Sequence, residues 1–243
     1  MYLKMQNFLQ FVRQYIRKSY IYIFFIKCLN SWRYTAEHPL RFIFKSKMLV
    51  TEGDASIWVD ENYYKSDFYL KIDERAKIFI EYVTRNTSKN DSILDICCNQ
   101  GRFLYHLKSH GYSHLYGFDI MGPAIERLKN NSNYDEKIIH AECCMAQDYL
   151  SRQKSNSFDW AITYTATIEL IHPEFDIFYN LSRILRKGMI LAINENGHTY
   201  PRFYRYLIKK NGFDLIYSKK ISNDVTLLCC VKNKSKHTYN NLI

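Results

Sequence analysis

Short apolar runs alternate with stretches of helical spacing from residue 91 to residue 231. Apolar runs of this length predict buried strands, whereas apolar positions three and four residues apart predict the buried face of a helix. The predicted strands cover residues 92–97, 115–119, 137–141, 158–163, 189–194, 213–218 and 225–231. The predicted helices between them cover residues 102–110, 123–130, 145–152, 174–185 and 201–211. Seven strands interleaved with helices predict an α/β fold with a doubly wound, mostly parallel sheet.

The last two predicted strands are joined only by residues 219–224, so we expect them to form an antiparallel hairpin at one edge of the sheet. Open sheets of this kind bind ligands beyond the carboxyl ends of their strands, at the point where the strand order reverses. The sequence therefore predicts a Rossmann-like domain over residues 91–232 and a polar tail over residues 233–243.

Residues 1–47 have the pattern of a basic helical extension. The apolar residues of its first part lie on one helical face and are Phe8, Phe11, Val12, Tyr15 and Ile16. The apolar run that follows, residues 20–26, is far shorter than the roughly 20 residues that a membrane-spanning helix needs. No small-residue cleavage site of a signal peptide follows this run.

The charge of the chain is concentrated in this extension. Nine of its residues are basic and one is acidic, so it carries +8 of the net charge of +10. A basic amphipathic segment binds an anionic membrane surface through its Lys and Arg side chains, or packs on its own protein or a partner chain. Binding of nucleic acid is a third alternative for a basic segment of this kind. These alternatives stay open at the level of the sequence.

Residues 48–90 precede the first predicted strand and are rich in aromatic side chains, among them Trp58, Tyr63 and Tyr64. A helical pattern follows at residues 71–84. We expect this segment to cover the site at the carboxyl ends of the strands. Tyr63 or Tyr64 would then close over a bound ligand or pack within the cover.

Composition removes several classes of protein. The 243 residues are 47% hydrophobic with only 8 Gly and 4 Pro, which excludes collagen-like and disordered chains. Seven cysteines occur without a CxxC spacing, which argues against a cysteine zinc site and a secreted disulfide framework. The acidic and His residues show no ligand spacing, so we expect no metal. These features favour a cytoplasmic protein, held at the cytoplasmic face of a membrane if the extension binds lipid.

The candidate site begins at the end of the first predicted strand, in the turn from Asp95 to Gly101. Backbone N–H groups in a turn that leads into a helix form a positively charged concavity, which suits a carboxylate or phosphate. Asp119 ends the second predicted strand, where a carboxylate accepts hydrogen bonds from a ribose diol. The two features together indicate a nucleoside-containing ligand.

Residues 91–231 resemble the class I S-adenosylmethionine-dependent methyltransferases, of the type 11-like kind. The turn Asp-Ile-Cys-Cys-Asn-Gln-Gly at residues 95–101 is similar to the family's acid and glycine-rich turn, with Cys97 and Asn99 at the first two glycine positions. The resemblance implies S-adenosylmethionine as cofactor, with the binding residues Asp95, Cys97, Asn99, Gly101, Asp119 and Glu142. It implies that Asp119 binds the ribose, Glu142 the adenine amine and the turn the methionine portion.

Methyl transfer needs little dedicated chemistry, because positioning of donor and acceptor provides most of the acceleration. A hydroxyl acceptor also profits from a general base. The candidate bases near the end of the fourth predicted strand are His172, Glu169 and Tyr164, in that order. His172 is equally suited to start a helix, and Glu169 to support the loop structurally.

Residues 163–166 read Thr-Tyr-Thr-Ala, which differs from the [N/D]-P-P-[Y/F] sequence associated with nitrogen methylation, and no Pro-Cys nucleophile for cytosine chemistry occurs. The body of the chain also lacks the broad basic surface of a nucleic-acid enzyme. A small-molecule or glycan acceptor is favoured, in particular a sugar hydroxyl. Residues 55–75 loosely resemble the cover of bacterial surface-polysaccharide methyltransferases, so a lipid-linked sugar is one hypothesis. The alternatives are an interaction module that binds the cofactor weakly or not at all, and an RNA methyltransferase that uses the basic arm.

Overall fold

The computed structural model describes residues 70–165, 167–171, 173, 175–194, 200 and 202–233, together with residues 24, 27 and 28. The strands are β1 (Ile93–Ile96), β2 (Leu115–Asp119), β3 (Ile139–Cys143), β4 (Phe158–Tyr164), β5 (Leu185–Ile193), β6 (Phe213–Lys220) and β7 (Thr226–Lys232). The helices that accompany them are α1 (Glu74–Asn86), α2 (Arg102–Ser109), α3 (Gly122–Asn130), α4 (Ala146–Arg152), α5 (Ile177–Ile184) and α6 (Tyr204–Lys210).

The strands form one sheet in the order β3-β2-β1-β4-β5-β7-β6. The first five strands in this order are parallel, and β7 runs antiparallel between β5 and β6. The predicted doubly wound sheet and the antiparallel hairpin are therefore confirmed. The strand order reverses between β1 and β4, which places the ligand crevice beyond the carboxyl ends of these two strands.

Several element boundaries differ from the sequence prediction, and two of them have a clear physical cause. Strand β5 begins at Leu185 rather than at residue 189, because the polar residues Arg186 and Lys187 continue the strand and pair with acids at the amino end of the sheet. Helix α5 begins at Ile177 rather than at residue 174, because the Asp176 side chain accepts a hydrogen bond from the backbone N–H of Tyr179 and caps the helix there.

Helices cover both faces of the sheet. On one face α4, α5 and α6 pack against Leu94, Ile96 and the alternate residues of the other strands. On the other face α1, α2 and α3 pack against Ile93, Trp160 and Ile162. The predicted helix of the cover segment is α1, whose fully buried side chains show that it belongs to the core of the domain.

An ion-pair network closes the amino end of the sheet. Arg186 bonds both carboxylate oxygens of Asp159 at 2.9 Å, and Lys187 bonds Asp91 at 2.5 Å. The Arg186 guanidinium holds the pKa of the Asp159 carboxyl well below its usual range. This network lies at the opposite end of the strands from the ligand crevice.

Glycine is required at one position in β5. A Cβ on Gly188 would lie 2.2 Å from the backbone oxygen of Cys230 and 2.8 Å from the Trp160 ring. The close approach of β5 and β7 therefore depends on this residue.

Several predictions fall outside the described residues: nearly all of the extension over residues 1–47, the first part of the cover with Tyr63 and Tyr64, the candidate base His172, and the tail from residue 234. Within the part of the chain that the structure describes, no helix has the length and apolar character to cross a membrane.

Candidate active site

The turn between β1 and α2 keeps a left-handed backbone at three alternate residues. The φ angles are 55° at Cys97, 50° at Asn99 and 78° at Gly101. Residues with side chains rarely adopt this conformation, although Asn does so more readily than most. These are the three positions that correspond to the glycines of the resembling family, and all three have the same backbone geometry. The turn therefore forms although Cys97 and Asn99 carry side chains.

Asp119 joins this turn to the end of β2. One carboxylate oxygen accepts the backbone N–H of Asn99 at 2.8 Å, and the other accepts that of Met121 at 2.9 Å. Burial raises the pKa of Asp119, and the backbone N–H donors oppose that rise. Each carboxylate oxygen has a second lone pair, so the capacity to accept ribose hydroxyls remains.

Asp95 is the second buried carboxyl group of the site. It is 2% exposed, and its Oδ2 atom has no hydrogen-bond partner among the described residues. Burial raises its pKa to about 8, a rise that the Arg102 guanidinium opposes. A buried, unsatisfied carboxyl oxygen is costly, so its presence indicates a place for a positively charged or hydrogen-donating ligand group.

An aromatic cluster lies beside these carboxyl groups. The Tyr164 ring, at the end of β4, packs 5.3 Å from the rings of Phe79 and Phe103, and the Arg102 guanidinium lies 4.8 Å from its centroid. The Tyr164 hydroxyl is buried without a partner in the described part of the chain, and burial raises its pKa. The structure thus places Tyr164 under α1, near the predicted cofactor turn.

Arg102 connects the turn with the cover and was missed by the sequence reasoning. Its guanidinium donates to the backbone oxygen of Lys71 at 3.3 Å, in the segment that leads into α1. In the sequence, the feature that pointed to Arg102 was its position directly after Gly101. An ordinary first residue of a helix would have the same position, so this feature did not indicate a special role.

Glu142 lies within β3. It stands opposite Phe118 in the pairing of β2 with β3, forms an ion pair with Arg152 of α4, and is half-exposed. It lines a hollow of about 470 Å³ with Tyr134, Glu136, Lys137, His140, Ala141 and Tyr149. The residue opposite Asp119 on β3 is Cys143. Binding of the adenine amine by Glu142 stays a prediction.

Glu169 is buried in the loop after β4 and fastens that loop to neighbouring segments. One carboxylate oxygen accepts the backbone N–H of Thr167 at 3.0 Å, and the other accepts that of Asn194 at 2.6 Å. Its backbone oxygen accepts the N–H of Tyr200 at 2.9 Å. Both carboxylate oxygens therefore hold the loop in place, which is the structural role left open by the sequence.

Arg202 fastens the same loop from the side of α6. It is 1% exposed, and its guanidinium donates to the backbone oxygen of Ile168 at 2.9 Å and to that of Ile171. In the sequence this residue has the appearance of an ordinary surface arginine, so no signal marked it. His172 follows this loop directly and lies outside the described residues.

The residues around the turn fit S-adenosylmethionine. This molecule carries positive sulfonium and ammonium groups, and the site offers two buried carboxyl groups, one with an unsatisfied oxygen. The backbone N–H groups of residues 98–101 are all hydrogen-bonded within the protein. The positive end of the dipole of α2, which begins at Arg102, still suits the cofactor's carboxylate. Among the described residues no group of three or more His, Cys, Asp or Glu side chains is arranged to hold a metal ion.

The sheet order, the left-handed turn and the acid after β2 agree with the resemblance to class I methyltransferases that the sequence shows. Comparison with known proteins agrees, because residues 93–188 match the protein family described as Methyltransferase domain. O-methyltransferase 3 of Dictyostelium discoideum is 28% identical over 136 residues, which are 54% of this chain and 31% of that protein. The chain thus spans about a third of the length of this curated relative.

Two solved structures share the fold. Magnesium protoporphyrin IX methyltransferase from Synechocystis, with bound S-adenosylmethionine, is 13% identical with a TM-score of 0.54, over 74% of this chain and 97% of that chain. The PH0226 protein from Pyrococcus horikoshii is 17% identical with a TM-score of 0.58, over 71% of this chain and 99% of that chain. Residues 93–188 of the chain therefore match a methyltransferase domain, and the chain shares the fold of these two structures.

Proposed function

We propose that the whole chain transfers a methyl group from S-adenosylmethionine to a hydroxyl oxygen of a small-molecule or glycan acceptor, namely a sugar. The observation that carries the catalytic part of this proposal is the unsatisfied, buried Asp95 carboxyl beside the left-handed turn. The similarity to a protein named O-methyltransferase 3 supports oxygen as the acceptor atom.

In this proposal Asp95, Cys97, Asn99 and Gly101 hold the methionine portion of the cofactor, and Asp119 holds the ribose. When bound, S-adenosylmethionine supplies an electrophilic methyl group on a positively charged sulfur. The carboxyl groups attract and orient a cation in a site with little water, where such interactions are strong. Positioning by this rigid turn then provides most of the acceleration.

The acceptor hydroxyl loses its proton to a base in the loop after β4. His172 is the first candidate for this base, and Tyr164 lies at the carboxyl end of β4. Glu169 keeps the loop in position, since its two carboxylate oxygens bind backbone N–H groups. A test of these roles is the pH dependence of methyl transfer in Glu169→Gln and His172→Ala, because only loss of a base removes a titration from the profile.

The acceptor in this proposal is linked to lipid, and the protein works at the cytoplasmic face of a membrane. The support is the charge of residues 1–47, which is +8 in a chain of +10. Several basic groups together bind an anionic leaflet peripherally, without a membrane-spanning helix.

The first experiment is calorimetric titration of S-adenosylmethionine and S-adenosylhomocysteine into the purified full chain. We expect micromolar binding that Asp119→Ala abolishes and that Asp224→Ala, which removes an exposed acid in the β6–β7 link, leaves unchanged. A screen of sugar acceptors with a labelled methyl group follows. Absence of cofactor binding in a folded sample would instead establish an interaction module on the same fold.

A further inference from the structure

The exposed side of α6 is basic and aromatic. Its exposed side chains are Arg205, Tyr206, Lys209 and Lys210, while Tyr204, Leu207 and Ile208 are buried against the sheet. Residues four apart on a helix are neighbours, so Arg205 lies beside Lys209 and Tyr206 beside Lys210. This side of α6 carries no acidic residue.

The neighbouring edge strand extends the same charge. Arg205 donates to the Ser218 hydroxyl of β6 at 2.8 Å, which fixes α6 against this strand. The exposed basic residues of α6 and β6 are Arg205, Lys209, Lys210, Lys219 and Lys220, and the only acid within these two elements is Asp214. At the other edge of the sheet, α3 and β3 carry Glu126 and Glu142 as well as basic residues. The positive charge of the domain is therefore concentrated beside α6.

Part of the basic extension packs at the amino end of α6. The Phe24 ring lies 5.6 Å from the ring of Phe203, the residue that precedes α6, and the Lys27 ammonium lies 6.0 Å from the same ring. Phe24 is 62% exposed and Tyr206 is 51% exposed. We call the residues Phe24, Lys27, Arg205, Tyr206, Lys209 and Lys210 the α6 surface.

The chemistry of this surface matches the headgroup region of an anionic bilayer. Exposed aromatic rings enter the boundary between headgroups and acyl chains, while Lys and Arg side chains reach anionic headgroups. The pairing of one exposed ring, Tyr206, with three clustered basic groups on one short helix distinguishes it from an ordinary solvated face. The positive charge is confined to one side of the domain. It therefore suits a flat membrane surface better than a long nucleic-acid strand, which would contact a more extended basic surface.

The amino end of α6 adjoins the acceptor side of the active site. The backbone N–H of Tyr200 donates to the backbone oxygen of Glu169, and Arg202 binds the oxygen of Ile168. These bonds tie the segment before α6 to the loop after β4, where the acceptor would react.

We propose that the α6 surface binds anionic phospholipid and so holds the acceptor side of the site at the headgroups of the bilayer. This inference rests on the proposed function, which it deepens by assigning membrane contact to the catalytic domain as well as to the extension. An acceptor whose sugar is attached to lipid then reaches the site without leaving the membrane.

The test is sedimentation of the full chain with vesicles of phosphatidylglycerol and phosphatidylcholine at low salt. The triple variant Arg205→Gln, Lys209→Gln and Lys210→Gln removes three positive charges from the α6 surface. Each basic group near an anionic leaflet contributes about a fivefold factor in binding, so we expect a loss of about 100-fold. The control variant Lys89→Gln, Lys129→Gln and Lys154→Gln removes the same charge from exposed residues elsewhere and should change binding little.

Equal losses in the two triple variants, or no loss in either, would overturn the proposal. Vesicle binding should also fall in Tyr206→Ser, since the ring enters the bilayer. Binding of the full chain to single-stranded RNA with no binding to vesicles would assign the surface to nucleic acid instead. Cofactor calorimetry and methylation of a soluble sugar on the same variants report the proposed function separately, because neither measurement involves a membrane.

Discussion

The isosteric substitution Asp95→Asn tests whether this buried carboxyl is neutral in the ligand-free protein. Burial raises the pKa of Asp95 from 3.8 to about 8. Above pH 4 the unfolded chain has released this proton and the native protein still holds it, so unfolding releases a proton and becomes easier as pH rises. The stabilisation by the neutral carboxyl is complete below pH 4 and is lost as the pH approaches 8.

One pKa unit corresponds to about 1.4 kcal/mol, so the free energy of unfolding should lose about 2 to 4 kcal/mol between pH 5 and pH 8 through this group. Asp95→Asn removes this loss. The stability gap is the free energy of unfolding of the variant minus that of the wild type. It should therefore increase by about 1 kcal/mol per pH unit as the pH rises. Urea denaturation of cofactor-free protein at pH 5, 6.5 and 8 measures the gap, and Asp224→Asn, an exposed position, controls for the exchange itself.

The same substitution should weaken binding of S-adenosylmethionine at least tenfold, because the carboxylate no longer balances the cofactor's positive charge. In the wild type at pH 7 binding should release a proton, so the calorimetric heat should depend on the ionisation enthalpy of the buffer. A stability gap that is the same at pH 5 and pH 8 would refute the reasoning, since Asp95 would then be ionised in the native state.

Other residues give predictions of their own. Cys97→Gly should raise the free energy of unfolding by about 1 kcal/mol, measured by urea denaturation, because glycine adopts the positive φ angle without strain. Glu169→Gln should lower the free energy of unfolding by about 2 kcal/mol, because the new amide donor faces a backbone N–H donor. In enzyme assays of this variant, the Michaelis constant should rise by a larger factor than the turnover number falls. Asp159→Asn should lower stability by about 1 to 3 kcal/mol at pH 7. Since Arg186 lowers the pKa of Asp159, this difference should disappear as the pH falls below 3.8.

The fold was predictable because burial in a parallel sheet leaves apolar runs that the sequence shows directly. The strand β2 was predicted with its observed bounds, Leu115–Asp119. The start of β5 was not predicted, because Arg186 and Lys187 find acidic partners that lie far away in the sequence. The order of apolar and polar residues along a short segment contains no information on partners that are distant in the sequence.

The turn between β1 and α2 was predictable from one acid and one glycine, whereas its backbone geometry was not. Only the structure shows that Cys97 and Asn99 adopt left-handed backbone conformations. Arg202 could not be predicted, since its role depends on carbonyl groups some thirty residues earlier in the chain. Glu169 was identified as a candidate, and its contacts with backbone N–H groups favour the structural one of its two predicted roles.

The ion pairs that stabilise the domain and the ligand crevice lie at opposite ends of the strands. Asp159 and Arg186 stabilise the domain at one end, while the unsatisfied Asp95 carboxyl and the left-handed turn cost stability at the other. Because no loop of the ligand crevice takes part in these ion pairs, mutations in the crevice leave them intact. Among the described residues, the crevice can thus change in sequence without loss of this electrostatic stabilisation.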